Sequence, residues 1–250
     1  MDDLDNALSD AIGQRNMAWH KERLGRFTSS QFGSLVSQGT PGTKARKLRL
    51  EKDLLSEKIT KEVYDREIID IKFIEYNARF GDGCKTYVYE KIAEILTNSV
   101  HMTGGGMATE WGTEQESNAI REYENLTGKK VKECGFLKYG DFAGGSPDGK
   151  VESDNGIIEV KSPFNPSNHI KVMITQELPK NHFWQVHGNI LATKSDYCDY
   201  ISYDPRMIEK ETQLVIIRVE KDQEIQEELI NRINEVSKFM HDLMKKHDLL

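Results

Sequence analysis

The fold class this sequence predicts is α/β, a mixed β-sheet flanked by helices, and three observations carry the prediction. Elements of helical period alternate with short β-type runs, giving helix, strands, helix, strands, helix over the second half of the chain. The stretch "GGSPDGKVESDNGIIEVKSP" (Gly144 to Pro163) reads as a β-hairpin with Asn155-Gly156 as its tight-turn signal. Inside it "IIEVKS" alternates, which sets Ile158 and Val160 on one face and Glu159 and Lys161 on the other.

The elements follow in order. "NMAWHKERLGRFTSSQFGSLV" predicts a short helix, a break at Gly25, and a second helix capped by Thr28 or Ser29. "SQGTPGT" is a loop by composition, and residues 44–98 are helical in pattern with an interruption at "RFGDGC". Tyr87, Ile92, Ile95 and Leu96 are its expected core contacts. "HMTGGGMATE" contains three glycines, a poor helix former, and is expected to be a flexible connector.

A helix through "ATEWGTEQESNAIREYENLTG" should end at Gly128, with Trp111, Ala119, Ile120, Tyr123 and Leu126 as its apolar stripe. Glu116 lies on the inward side of that stripe, whereas Glu114 points away. Strands are expected at 130–137, 199–203 and 213–219, and helices at 166–176, 181–193 and from Gln223 onward. The resulting partition is one domain over 1–250: a helical part to about 105, a core over about 106–220 and a final helix over about 223–248.

Composition narrows the function classes. The chain has 250 residues, 37% hydrophobic and 30% charged, as expected of a soluble globular protein. No apolar run approaches the roughly 18–20 residues that span a bilayer, and "MDDLDNALSD" lacks the apolar stretch of a secretory signal. Cys84, Cys134 and Cys198 are odd in number and widely spaced, which fits a reducing cytoplasm better than a disulfide framework. Net charge is −7, yet seven of the eight charged residues between His20 and Arg49 are positive. A local phosphate-binding track is compatible with that asymmetry, and so is a set of solvated helix faces.

The hairpin carries the chemistry. Asp148, Glu159 and Lys161 clustered on adjacent strands cost electrostatic energy unless a cation joins them. Asp148 and Glu159 offer hard oxygen ligands for Mg²⁺, the backbone carbonyl of Val160 offers a third, and Glu116 completes the set from the preceding helix. Lys161 supplies a positive charge for a water nucleophile or for charge developing on phosphorus, and Gln185 is placed to orient water or substrate. His169, His182, His187, His241 and His247 show no metal-ligand spacing and read as structural or surface residues. Arg206 in "YDPRM" reads as a turn-fixing residue, with a DNA contact as the alternative role.

"SPDG" followed by "EVK" resembles the PD-(D/E)XK nuclease motif. In order, "WHKERLGRFTSS", "WGTEQE", "GGSPDG", "IIEVKSPF", "FWQVHG" and "YDPRM" resemble the bacteriophage lambda exonuclease family, the YqaJ-type viral recombinases. The resemblance implies a restriction-endonuclease-like core and an Mg²⁺-dependent exonuclease, with Mn²⁺ as a substitute ion. Such an enzyme digests one strand of duplex DNA from a 5′ end and leaves a 3′ overhang for recombination. It implies Glu116, Asp148 and Glu159 as metal ligands, Lys161 as the catalytic lysine, and Gln185 as an active-site assistant. Arg23 and Ser30 match the positions that cradle a terminal 5′-phosphate. A ring-shaped homotrimer around DNA and a single-strand annealing protein as partner are further implications. In that family a residue of the connector acts as a strand-separating wedge; here the loop departs in sequence and Met107 is the nearest apolar candidate. An endonuclease or nickase on the same scaffold is the alternative, and it would have no use for a 5′-phosphate clamp.

Overall fold

The computed structural model describes Gln14, residues 16–100 and residues 105–250. Its centre is a five-stranded sheet in the order β2-β5-β6-β7-β8, from Val131–Lys132, Gly149–Val151, Gly156–Lys161, Tyr197–Tyr203 and Leu214–Glu220. β6 and β7 run parallel and the other neighbours antiparallel, so the sheet is mixed as expected. β6 and β7 are the middle strands and are buried almost throughout.

Strand alternation divides the core in two. Ile158, Val160, Ile201 and Tyr203 face helix α6 (Met107–Thr127), packing on Ala119 and Tyr123. Ile157, Cys198 and Tyr200 face helices α7 (Pro166–Thr175) and α8 (Phe183–Thr193), through Val172, Val186 and Ile190. Glu159 and Lys161 share the second face. α6 ends as predicted, with Gly128 in the left-handed region at φ +71°.

A second, three-stranded sheet of order β1-β4-β3 uses Phe27–Thr28, Ala143–Gly145 and Leu137–Tyr139. It joins the N-terminal helical part to the core. That part comprises α1 (Met17–Arg23), α2 (Phe32–Leu35), α3 (Lys44–Leu55), α4 (Lys61–Ala78) and α5 (Asp82–Thr97). Phe27, Phe32, Leu35, Phe80 and Tyr87 pack there against the final helix, α9 (Gln223–Lys246), through Ile233, Val236 and Phe239.

Several local expectations are corrected. Neither Thr28 nor Ser29 caps α2, whose N-cap is Gln31: Thr28 lies in β1, paired in parallel with Gly144, and Ser29 opens a 3₁₀ turn over Ser29–Gln31 that precedes α2. The 130–137 strand is two pieces, β2 and β3, in different sheets. The hairpin connection is longer than a two-residue turn, since β5 ends at Val151 and β6 begins at Gly156. Gly156 serves close approach instead, because a Cβ there would stand 2.1 Å from Cζ of Tyr197. Ile95, Leu96 and Leu126 are exposed, not core. Residues 101–104 of the expected connector lie outside the described residues, and Met107 is 72% exposed at the start of α6.

Candidate active site

The antiparallel register sets the site. Gly149 pairs with Ile158, so Asp148 stands one step further along, opposite Glu159. The Asp148 amide donates to the Ile158 carbonyl at 3.1 Å, and Asp148 Oδ2 accepts from the Val160 amide at 2.6 Å. A strand residue's N–H and C=O project to the same edge, so the Val160 carbonyl points past the end of β5 as well.

Glu159 is 1% exposed and densely satisfied. Oε1 accepts from Gln185 Nε2 at 2.5 Å and from the Lys161 ammonium, and Oε2 accepts from Asn189 Nδ2 at 2.7 Å. Gln185 and Asn189 lie one turn apart on α8 and present one face of it to the strand. Asn189 Oδ1 in turn accepts from Ser29 Oγ at 2.5 Å. Gly145 makes that contact possible, since a Cβ on it would lie 2.7 Å from Asn189 Oδ1.

Glu116 comes over the sheet from α6, on the opposite face, and lines a cleft of about 950 Å³ together with Val160 and Lys161. Glu114 is exposed, as the helical phase predicts. Among the described residues, as their side chains stand, no group of three His, Cys, Asp or Glu could hold a metal ion. Lys161 neutralises Glu159 instead.

The electrostatics reflect crowding. Burial, then the charges of Glu159 and Glu116, push Asp148 well above the usual carboxylate value, against the pull of Lys161. Burial likewise raises Glu159, with Lys161 opposing it. For Lys161 burial works downward, but Glu159 and Asp148 outweigh it, so the ammonium is held above its usual value and stays charged at neutral pH.

The other predicted residues sit beside this centre. Arg23 stacks on Trp19, 4.0 Å from the ring centre, and has no ion-pair partner among the described residues. Burial lowers its pKa, although Tyr87 and Glu94 work upward. Trp19 Nε1 donates to Ser146 Oγ at 3.0 Å, which ties α1 to the segment leading into Asp148. Ser30 is exposed, with its Oγ 3.2 Å from Thr28 Oγ1. Through the adjacent Ser29, this segment connects to Asn189 and Glu159.

Sequence reasoning missed two residues. Asn189 is buried in the apolar run "VHGNILA", and its only signal was a spacing of four from Gln185. His182, at the N-cap of α8, lines the cleft. Burial, then the Lys161 charge, pushes it down to about 4, so it is neutral at pH 7. Its Nε2 accepts from Asn181 Nδ2 at 2.9 Å, which leaves the proton on Nδ1 to be donated to Tyr200 Oη at 2.8 Å. His187 is buried away from the cleft. His169 is buried between Ser202 and the Thr212 carbonyl, while His241 and His247 are exposed.

A mixed sheet flanked by helices, with two acids and a lysine at the mouth of its central hairpin, defines the PD-(D/E)XK class of nuclease folds. Within that class the chain belongs to the YqaJ-like viral recombinase domain family, whose pattern matches residues 18–196, more than half of its length. The fold is similar to that of the alkaline exonuclease LHK-Exo from Laribacter hongkongensis. Identity is 23%, TM-score 0.68, and the match covers 93% of this chain and 98% of that one. The same relative is known in complex with dAMP, with the same figures of similarity. A phage-related exonuclease from Haemophilus somnus 129PT matches at 16% identity and TM-score 0.60, over 89% of this chain and 96% of that one. No curated protein matches. Among the described residues no helix is long and apolar enough to cross a membrane.

Proposed function

We propose that the chain is a divalent-metal-dependent exonuclease that removes 5′-mononucleotides from duplex DNA ends and leaves a 3′ overhang. The observation that carries this reading is the convergence of Asp148, Glu159 and Lys161 at one strand end, with Glu116 lining the cleft that Lys161 also lines. The donor set fits Mg²⁺: carboxylates and a strand carbonyl are hard oxygen ligands, and Asp148, raised by burial first and then by the charges of Glu159 and Glu116, stands where a cation would offset that cost. Asp148, Glu159, Glu116 and the Val160 carbonyl would hold the ion, with Mn²⁺ able to replace it. Bound there, it supplies polarisation of the phosphate and acidification of water.

The chain's own groups do the rest. Gln185 and Asn189 fix the Glu159 carboxylate in one orientation. Lys161, kept protonated, places positive charge where negative charge grows on the phosphate oxygens. Arg23 and Ser30 hold the terminal 5′-phosphate, which sets the distance from the end to the bond that is cut. Assembly as a homotrimer around the duplex and cooperation with a single-strand annealing protein belong to the same proposal, and the sedimentation coefficient tests the first.

Digestion of linear, nicked-circular and covalently closed duplexes in Mg²⁺ tests the function. Nucleotide release from 5′-phosphorylated linear DNA, with closed circles left intact, is expected. Conversion of closed circles to nicked or linear forms would replace this reading by an endonuclease or nickase.

A further inference from the structure

The four residues Ser162–Asn165 join β6 to α7, and both ends of this link are fixed. Lys161 closes the strand, and Asn165 caps the helix by accepting from the Ser167 amide at 3.0 Å, with Pro166 in the first turn. Arg206 grips the middle. It donates to the Pro163 carbonyl at 2.9 Å and to the Phe164 carbonyl at 3.1 Å. Arg206 is itself anchored on fully buried Asp204 at 2.8 and 2.7 Å, and it lies over the Trp111 ring of α6 at 4.6 Å. The link is therefore tied at once to the end of β7 and to the helix that carries Glu116.

At the centre of this clamped loop Phe164 is 48% exposed, on the wall of the cleft that also contains Lys161 and Glu116. Ser162 Oγ, in the same wall, is buried and has no hydrogen-bond partner among the described residues. An apolar ring presented to water by a rigid loop is poised for a flat apolar surface, because its ordering entropy is already lost before anything binds.

We propose that Phe164 is a substrate-binding residue whose ring stacks on the base just 3′ of the scissile phosphate. The inference rests on the exonuclease reading and adds to it a contact on the downstream side. α8 supplies the direction: its N-cap, His182, lines the Phe164 cleft, while Asn189, a turn beyond Gln185, meets Ser29 beside Ser30. The Phe164 cleft thus lies toward the start of α8 and Ser30 toward its later turns, with Glu159 held between by Gln185 and Asn189. A strand whose 5′-phosphate sits at Ser30 passes Glu159 and then reaches Phe164. Lys171 and Lys180 on the same wall offer positive charge to its continuing backbone. Stacking suits an enzyme that must accept any sequence, since every base has a π-face.

The test uses 5′-phosphorylated duplexes carrying either a normal nucleotide or a tetrahydrofuran abasic residue at the second position of the digested strand. Release of the first nucleotide is followed in a single turnover with Mg²⁺. Wild type should be slower on the abasic duplex by roughly 5- to 150-fold. Phe164→Ala and Phe164→Leu should be slow and equal on both duplexes, and Phe164→Tyr should restore the preference for the intact base. A leucine fills space without stacking, so this pattern separates base contact from loop packing. Equal rates for wild type on both duplexes, or an undiminished preference in Phe164→Ala, would overturn the proposal. Failure of wild type to release a nucleotide from either duplex would instead remove the exonuclease reading, and this inference with it.

Discussion

Gln185 and Asn189 donate to different oxygens of the same buried carboxylate, Glu159, at 2.5 and 2.7 Å. Two amides one helical turn apart thereby fix both position and rotation of a group whose remaining close partner is Lys161. The arrangement gives Asn189 a positioning role that acts through Glu159. Asn189→Ala should reduce stability by about 1.5–3 kcal/mol, the worth of a hydrogen bond to a charged group. It should also lower kcat on the order of tenfold to a hundredfold, with KM for duplex ends little changed. Unfolding curves and steady-state kinetics on the same preparation check both, and an unchanged kcat would reduce Asn189 to a packing residue.

Asp148 provides a test by pH. Burial first, then the charges of Glu159 and Glu116, raise its folded pKa above the ordinary value of 3.8, so the folded chain holds this proton more tightly than the unfolded chain. The stability linked to it is complete below pH 3.8 and is lost as pH rises through the raised folded value. In EDTA at neutral pH, Asp148→Asn should therefore melt above wild type, by about 2–4 °C for each kcal/mol relieved in a chain of this size. The gap should close on acidification, and Mg²⁺ should raise the Tm of wild type alone. Differential scanning calorimetry across pH reads all three, and a variant less stable than wild type at pH 7 would contradict the electrostatic reading.

Arg23 tests the terminal clamp. Its guanidinium is stacked on Trp19 and has no carboxylate partner among the described residues, which leaves its donors for an anion. Wild type should digest 5′-phosphorylated ends faster than 5′-hydroxyl ends. Arg23→Ala should erase most of the difference, a loss of roughly 10- to 150-fold for a charge-assisted contact. Equal digestion of the two ends by wild type would sink the clamp.

Where periodicity and spacing are strong, sequence and structure agree. The alternation of "IIEVKS", the cap at Gly128 and the inward phase of Glu116 were all legible because each is a local property of one element. Arg206 was legible as a turn-fixing residue through its neighbour Asp204, but its grip on Pro163 and Phe164 in a distant link was not. Thr28 was not, because β1 is two residues long and exists only by pairing with β4, a partner more than a hundred residues away. Asn155-Gly156 suggested a tight turn, yet the Tyr197 ring, contributed by another strand, is what requires the glycine. Asn189 was hidden for a related reason: a polar residue in an apolar helical run reads as noise until the strand beneath it presents a carboxylate. Ile95, Leu96 and Leu126 carry the hydrophobicity of a core without the neighbours to make one.

Release of mononucleotides from a 5′-phosphorylated linear duplex, compared between wild type and Glu159→Ala in Mg²⁺ and in EDTA, tests the central claim most directly. Glu159 is the point at which the strand, α8 and Lys161 converge, so its loss removes a ligand and the anchor of the surrounding network together. Rapid release by wild type in Mg²⁺, none in EDTA, and none by a folded Glu159→Ala in either condition is the expected result. Wild-type-like release by Glu159→Ala, or full wild-type activity in EDTA, would contradict a metal-dependent hydrolytic centre built on Asp148, Glu159 and Lys161.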